Sequence, residues 1–216
     1  MKNFMTKYNV SRETYDKLKT YQSLLVEWQA KFNLVSNSSL EDAWKRHFLD
    51  SAQLIEYIPQ TAKNLIDFGS GAGFPALVLA VMLNEKTPYL KVTLVESIRK
   101  KTLYLKEVVE QTSVDVNIIN DRIENLPHDK YDVITSRAMT GLSDLIKYAY
   151  PFCHKQTICV FPKGKSYAAE LSEAHKHWQF KCQIQQNQVS EEGKILIISD
   201  ISSKKEKTNA KNLSRR

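Results

Sequence analysis

The stretch Leu65-Ile66-Asp67-Phe68-Gly69-Ser70-Gly71-Ala72-Gly73-Phe74-Pro75 carries the densest chemistry in this 216-residue chain. It reads as a strand, a glycine-rich turn and a helix start, with Pro75 suited to the first helical turn. Glycine lets backbone approach a ligand closely, and the carboxyl end of a strand is where open α/β sheets bind ligands. The glycines run G-x-G-x-G rather than the G-x-G-x-x-G of dinucleotide folds, and no GK[ST] follows, so a P-loop is excluded. Asp67 at the strand end repels a pyrophosphate but suits a cofactor bearing an ammonium and a sulfonium. Glu96 closes the next apolar run, where an acidic residue can take both hydroxyls of a ribose. These features point to S-adenosylmethionine. The competing reading is a glycine-rich turn that holds nothing.

A methyl donor needs an acceptor. Enzymes that methylate exocyclic amines of bases carry an Asn/Asp-Pro-Pro-aromatic loop after the fourth strand. Here that position reads Thr135-Ser136-Arg137-Ala138-Met139. Methylation at carbon five of a pyrimidine uses a cysteine nucleophile. Cys153 and Cys159 lie near the fifth strand, but neither stands in a Pro-Cys loop, and both read as buried structural residues. A ring nitrogen with a free lone pair needs neither device, because position and electrostatics suffice. With Cys182 the cysteine count is three, odd and without a CxxC pair. Neither a disulfide framework nor structural zinc is expected, and a reducing cytoplasm fits. His175-x-His177 has no further ligands at suitable spacing, so it reads as surface helix and no metal is expected.

Three blocks position these residues. Residues 1–63 show helical periodicity only: Ser11 caps a helix carrying Tyr15, Leu18, Leu25, Trp28 and Phe32. A short extended stretch, Asn33–Ser36, follows. Ser39-Leu40-Glu41-Asp42 then resembles a capping box opening a second helix that runs to Pro59, with Trp44, His47, Ser51 and Leu54 on one side. Residues 64–201 alternate strand and helix. Strands are predicted at 65–68, 92–96, 116–120, 131–136, 157–161 and 195–201, with amphipathic stretches at 75–84, 98–111, 142–150 and 166–177. A weaker strand at 183–189 forms an antiparallel hairpin with the last, turning at Glu191-Glu192-Gly193. The fold class is therefore α/β, a mostly parallel sheet with helices on both faces, closed by an antiparallel hairpin and preceded by a helical extension.

The formal charge of +7 is unevenly spread. Residues 202–216 hold six Lys/Arg against one Glu, residues 1–63 hold nine against seven, and residues 64–201 hold sixteen of each. The last segment reads as a disordered basic tail, serving either as a solubiliser or as a sequence-independent attraction for phosphate. No apolar run approaches the roughly 18 residues of a membrane span, and the N-terminus lacks a signal-peptide core.

Across roughly residues 20–200 the sequence resembles the glucose-inhibited division protein B (RsmG) family, bacterial methyltransferases of guanine N7 in small-subunit ribosomal RNA. The resemblance rests on Phe32-Asn33-Leu34-Val35-Ser36, Arg46-His47-Phe48-Leu49-Asp50-Ser51, the 67–75 loop, Ser136-Arg137-Ala138 and Pro162-Lys163-Gly164. The family usually has Gly at Ala76 and Asp at Glu96. The resemblance implies a Rossmann-like class I methyltransferase with a seven-stranded sheet and S-adenosylmethionine as cofactor. Its partner would be ribosomal RNA or the small ribosomal subunit, and a cytoplasmic monomer is expected. It further implies cofactor contacts from Gly69, Phe74 and Arg137, with Ile123 and Glu124 flanking the adenine and Glu96 on the ribose. His47 reads either as a satisfied core histidine or as a substrate contact, and Lys163 either as an RNA-phosphate contact or as a solvated loop lysine. A methyltransferase of the same fold acting on a small molecule or protein is the alternative, because fold alone does not fix function.

Overall fold

The computed structural model describes residues 2–204. Seven strands, β1 (Asn64–Phe68), β2 (Lys91–Val95), β3 (Val116–Ile119), β4 (Tyr131–Ser136), β5 (Cys153–Lys163), β6 (Trp178–Gln186) and β7 (Lys194–Ser203), form one sheet. Their order is β3-β2-β1-β4-β5-β7-β6. The first five strands are parallel, and β7 lies antiparallel to both β5 and β6. The order reverses between β1 and β4, and a crevice opens at such a switch point beyond the strands' carboxyl ends. The glycine loop follows β1 and the Arg137 segment follows β4, so both meet there.

Helix α5 (Ala76–Leu83) is apolar all round, ALVLAVML, and every one of its eight residues is buried. A helix without a polar face must be covered on both sides. The sheet covers one side. The other is covered by α2 (Arg12–Gln29) and by residues 50–57, while α1 (Lys2–Tyr8) joins the same core: Phe4, Tyr8, Leu18, Tyr21 and Leu25 share it with Leu65, Leu77 and Val81. Ser11 caps α2 as expected, accepting from Thr14 N at 3.0 Å. Helix α6 (Arg99–Thr112) packs against α2 on the same face of the sheet. Helices α7 (Leu142–Ala149) and α8 (Tyr167–His177) pack against each other and belong to a second core with Phe68, Ile134 and Phe161.

Several expectations are corrected. The second N-terminal helix is not continuous: α3 (Asn37–Leu40) ends, a π-helical turn runs from Trp44 to Leu49, α4 (Asp50–Ala52) follows, and a 3-10 turn (Gln53–Tyr57) closes the segment. No capping box forms at Ser39. Its hydroxyl donates to Ser36 O at 2.8 Å instead, inside α3 rather than ahead of a helix. Pro75 precedes α5 rather than entering its first turn. The penultimate strand begins at Trp178, and residues 187–189 lie in the turn beyond it. Glu96 stands one residue past the end of β2. Of the proposed basic tail, residues 202 and 203 end β7, and 205–216 lie outside the described residues.

Candidate cofactor and substrate site

A cavity of about 1100 Å³ opens at the carboxyl ends of β1, β4 and β5. One wall is the glycine loop, from Gly69 to Ala72 with Phe74. A second comes from the N-terminal segment, with Val35, Lys45, Arg46, His47 and Asp50. The third combines Arg137 to Gly141, Pro162 to Gly164, and the β6–β7 turn at Asn187, Val189 and Ser190.

The glycine loop owes its shape to three left-handed residues, Gly69, Gly71 and Gly73, with φ of 64°, 57° and 91°. These are conformations that side chains strain to adopt. A Cβ on Gly71 would find only Gly69 O, at 3.8 Å, so the loop presents open backbone to the cavity at that point. A Cβ on Gly73 would run into Leu77 at 3.0 Å and into the Tyr21 hydroxyl, so this glycine makes room for α2. Gly71 N donates to Glu96 Oε2 at 2.9 Å, and Ile98 N donates to Oε1 at 2.8 Å.

Asp67 lies beneath the loop, wholly buried in β1 and outside the cavity lining, and thus not at an exposed strand end. Its Oδ1 accepts from Thr135 Oγ1 at 2.6 Å, while Oδ2 has no partner. Burial pushes its carboxyl up to about 7, against the opposing pull of the Thr135 and Ser70 hydroxyls and of Arg137.

Arg137 follows β4 and turns toward the N-terminal segment. Its Nη1 donates to Asp50 Oδ2 at 3.1 Å and to Arg46 O at 3.2 Å, and its Nη2 meets His47 Nδ1 at 2.9 Å. The guanidinium also stands 4.9 Å from the centroid of Phe74. His47 is buried and stacks on Phe74 at 4.9 Å and 21°. Burial, then the charges of Arg137 and Arg46, lower its imidazole to about 3. A neutral ring with Nδ1 accepting from arginine must carry its proton on Nε2, which then donates to Ser39 Oγ at 2.9 Å. His47 is therefore a satisfied, buried histidine that also faces the cavity.

The structure brings Gly69, Phe74, Arg137, His47 and Lys163 together around one space. Lys163 is the last residue of β5 rather than a solvated loop lysine. Its Nζ pairs with Glu170 Oε2 at 2.8 Å and donates to Thr140 O at 2.8 Å. Glu96, Ile123 and Glu124 do not line the cavity. Glu96 is buried against the loop backbone, Ile123 packs in the second core, and Glu124 is exposed. Cys153 and Cys159 also lie outside the lining, which leaves the space without a thiol nucleophile. Among the described residues no group of His, Cys, Asp and Glu could hold a metal ion.

Sequence reasoning assigned no role to Asp50 or Tyr21. Asp50 joins three segments: besides Arg137 it accepts from Asn187 Nδ2 at 2.7 Å and from Gln53 Nε2 at 3.0 Å. The signal for Asp50 lies in the motif His47-x-x-Asp50-Ser51. Tyr21 falls on the buried stripe of α2, three residues after Leu18 and four before Leu25.

Magnesium protoporphyrin IX methyltransferase (ChlM) from Synechocystis PCC 6803, solved with bound SAM, superposes with a TM-score of 0.58 at 10% identity, covering 83% of this chain and 96% of that one. TYW2 of M. jannaschii, solved in complex with AdoMet, gives 0.56 at 9% identity over 81% of this chain and 80% of its own. These likenesses establish the Rossmann-like methyltransferase fold. A ribosomal RNA small subunit methyltransferase G of Jannaschia sp. (strain CCS1) is 41% identical over 187 residues, spanning 87% of this chain and 89% of its own. The same enzyme of Parvibaculum lavamentivorans is 40% identical over 198 residues, 91% of this chain and 87% of its own. The family model for rRNA small subunit methyltransferase G matches residues 14–199, and the chain belongs to that family.

Proposed function

We propose that this protein transfers the methyl group of S-adenosylmethionine to N7 of a guanine in small-subunit ribosomal RNA. The observation that carries the reading is a single cavity lined both by the glycine loop and by cations. Lys45, Arg46 and Lys101 line it, and among the described residues none of the three has a carboxylate within ion-pair distance. Cations without partners at a cleft suit a phosphate backbone.

The residues present fit the cofactor. Oδ2 of Asp67 is buried without a partner under the loop, a carboxyl that a cationic ligand would favour in its ionised form, and Gly71 leaves the close approach open. Gly69 and Phe74 would hold the cofactor from the loop and Arg137 from beside Phe74, where its guanidinium stands 4.9 Å from the ring centroid. Glu96 would meet the ribose with the lone pairs that Gly71 N and Ile98 N leave free, and Ile123 and Glu124 would flank the adenine. S-adenosylmethionine supplies, when bound, an electrophilic methyl on a positively charged sulfur.

Guanine N7 carries a free lone pair at neutral pH, so no proton must leave before attack. The cavity is built accordingly. Both nitrogens of His47 are engaged, by Arg137 and by Ser39, and the carboxylate of Asp50 is taken by Arg137, Asn187 and Gln53. Neither is left to act as a base. The chain's contribution is alignment: the Phe74–His47–Arg137 stack fixes one wall, and the basic rim holds the RNA in register. His47 and Lys163 would contact substrate only as walls of this space. No helix of the described residues is long and apolar enough to cross a membrane. A soluble monomer in the cytoplasm, acting on ribosomal RNA or the assembled small subunit, is the matching proposal.

The test is in vitro methylation of small-subunit ribosomal RNA, as naked RNA and as subunit, with labelled S-adenosylmethionine. Borohydride and aniline should then cleave the product at one guanine. Label that resists this cleavage, or label found on protein or small molecules instead, would overturn the acceptor.

A further inference from the structure

The cofactor loop of this protein is gripped from outside by two side chains. Among the described residues, the backbone of 69–73 receives Glu96 at Gly71 N and Tyr21 at Ala72 O. Glu96 belongs to the sheet, but Tyr21 comes from α2, 51 residues earlier in the chain. Its hydroxyl donates to the Ala72 carbonyl within a fully enclosed setting, since Tyr21 has no exposed surface and Ala72 almost none. It also occupies the space that a side chain on Gly73 would need. The ring lies flat against Phe74, 9° from parallel with centroids 5.4 Å apart, while Phe48 meets it edge-on at 5.0 Å. Phe74 is therefore packed between Tyr21 and His47, both from the N-terminal segment.

We infer that Tyr21 is a positioning residue for cofactor binding, its hydroxyl holding the glycine loop in the one conformation that admits S-adenosylmethionine. The inference rests on the cofactor reading given above. A loop with three left-handed glycines has many alternative conformations, because glycine resists none of them. Its own backbone bonds, Gly73 N to Ser70 O and Ser70 N to Val95 O, leave the Ala72 carbonyl without a backbone partner. Without the hydroxyl this buried acceptor is unsatisfied, and the loop gains by turning it toward water. Apparent cofactor affinity then falls by the fraction of molecules that keep the competent loop. The RNA-facing residues and the transfer geometry of the loaded enzyme are untouched.

Tyr21→Phe removes one oxygen and keeps the ring contacts with Phe48, Phe74 and Tyr104. Calorimetry on the full chain should show S-adenosylmethionine and S-adenosylhomocysteine binding about fivefold to thirtyfold more weakly than to wild type, the range for one buried hydrogen bond. KM for S-adenosylmethionine should rise in parallel, with kcat and KM for RNA within about twofold of wild type. Hydrogen exchange should speed up at the amides of residues 69–73. A merely structural role would instead lower the active fraction, cutting kcat and leaving KM and Kd alone, and that result overturns the inference. So does a folded variant with wild-type cofactor affinity, or a variant that no longer folds, since the hydroxyl would then be a determinant of the fold. Wild type that binds no S-adenosylmethionine removes the cofactor reading itself. Normal wild type with an unchanged variant removes this inference alone.

Discussion

Asp67 and the three glycines show how single residues divide the work beneath and within the loop. The carboxyl of Asp67 is raised from 3.8 to about 7 by burial. A group raised on folding favours the folded state most below its unfolded value, and that contribution is lost as pH climbs from about 4 through 7. A cationic ligand above it favours the ionised form, so binding should release a proton below about pH 7. Affinity for S-adenosylmethionine is expected to strengthen by about tenfold between about pH 6 and 8. Calorimetry in buffers of different ionisation enthalpy reads both effects. Asp67→Asn should flatten the profile, and S-adenosylhomocysteine, lacking the sulfonium charge, should show a shallower one. A pH-independent wild type would mean that Asp67 does not feel the cofactor. Gly71 and Gly73 part company in the same way. Gly73→Ala combines a φ of 91° with contacts at Leu77 and Tyr21, and should cost about 2–4 kcal/mol of stability. Gly71→Ala meets nothing closer than 3.8 Å and should cost about 1 kcal/mol, yet its methyl stands at the cavity wall and should weaken cofactor binding more than it lowers Tm. Melting curves beside binding isotherms separate the two; equal loss of Tm would refute the distinction.

Among the elements, the π-helical turn at Trp44–Leu49 does the most to shape the site. A single insertion of this kind shifts every following residue around the helix axis, and such turns recur at functional sites. It places Asp50 against Arg137 and Asn187, so the N-terminal segment, the end of β4 and the β6–β7 turn close on one carboxylate. Thermal denaturation of Asp50→Asn, Arg137→Lys and the double variant should give a coupling energy of about 1 kcal/mol or more. Strict additivity would show that the ion pair at 3.1 Å holds nothing together. The glycine turn, the parallel strands and the last strand were legible because each has a local signature in two to eight neighbouring residues. The π turn was not, since Trp44, His47 and Ser51 read equally well as one face of an ordinary helix. Strand β6 was expected as the antiparallel partner of the last strand but too late in the chain; its true start was legible, since Trp178, Phe180, Cys182 and Ile184 alternate with polar residues, although an edge strand this polar gives a weak signal. Tyr21 fits the helical stripe like any core residue. Nothing local distinguishes a tyrosine that fills space from one that reaches a carbonyl in another element. The partners of Arg137 were hidden for the same reason, being fixed by tertiary contact across 87 to 91 residues.

For the whole molecule, charge and burial give the first 60 residues their purpose. They cover α5, supply Tyr21 and His47 to the loop, and bring Lys45 and Arg46 to the cavity. If the rim is the RNA surface, Lys45→Ala, Arg46→Ala and Lys101→Ala should each reduce the slope of log K against log salt by about 0.7–0.9. Lys163→Ala is the control from the same cavity, because its ammonium is already paired with Glu170. Filter binding over a salt series decides; a Lys163 effect as large as the other three would mean that charge pairing in the free protein does not predict RNA contact. Removing residues 205–216 should lower affinity and flatten the same slope, with turnover at saturating RNA preserved. Loss of turnover at saturation would instead place the tail within the active assembly.

The hydrogen bonds that join Asp50 to Asn187 and Gln53 to Gln188 span 137 and 135 residues. During synthesis, α2 and the glycine loop leave the ribosome long before the turn at residue 187. Contacts of such sequence separation form late, because closing the intervening chain costs entropy that only the finished sheet repays. The β6–β7 part of the third wall, and with it the full set of bonds on Asp50, therefore waits for the last two strands. Because Asn187 and Gln188 stand in the turn between the last two strands, the wall that they complete is the last part of the cavity to close as the chain folds.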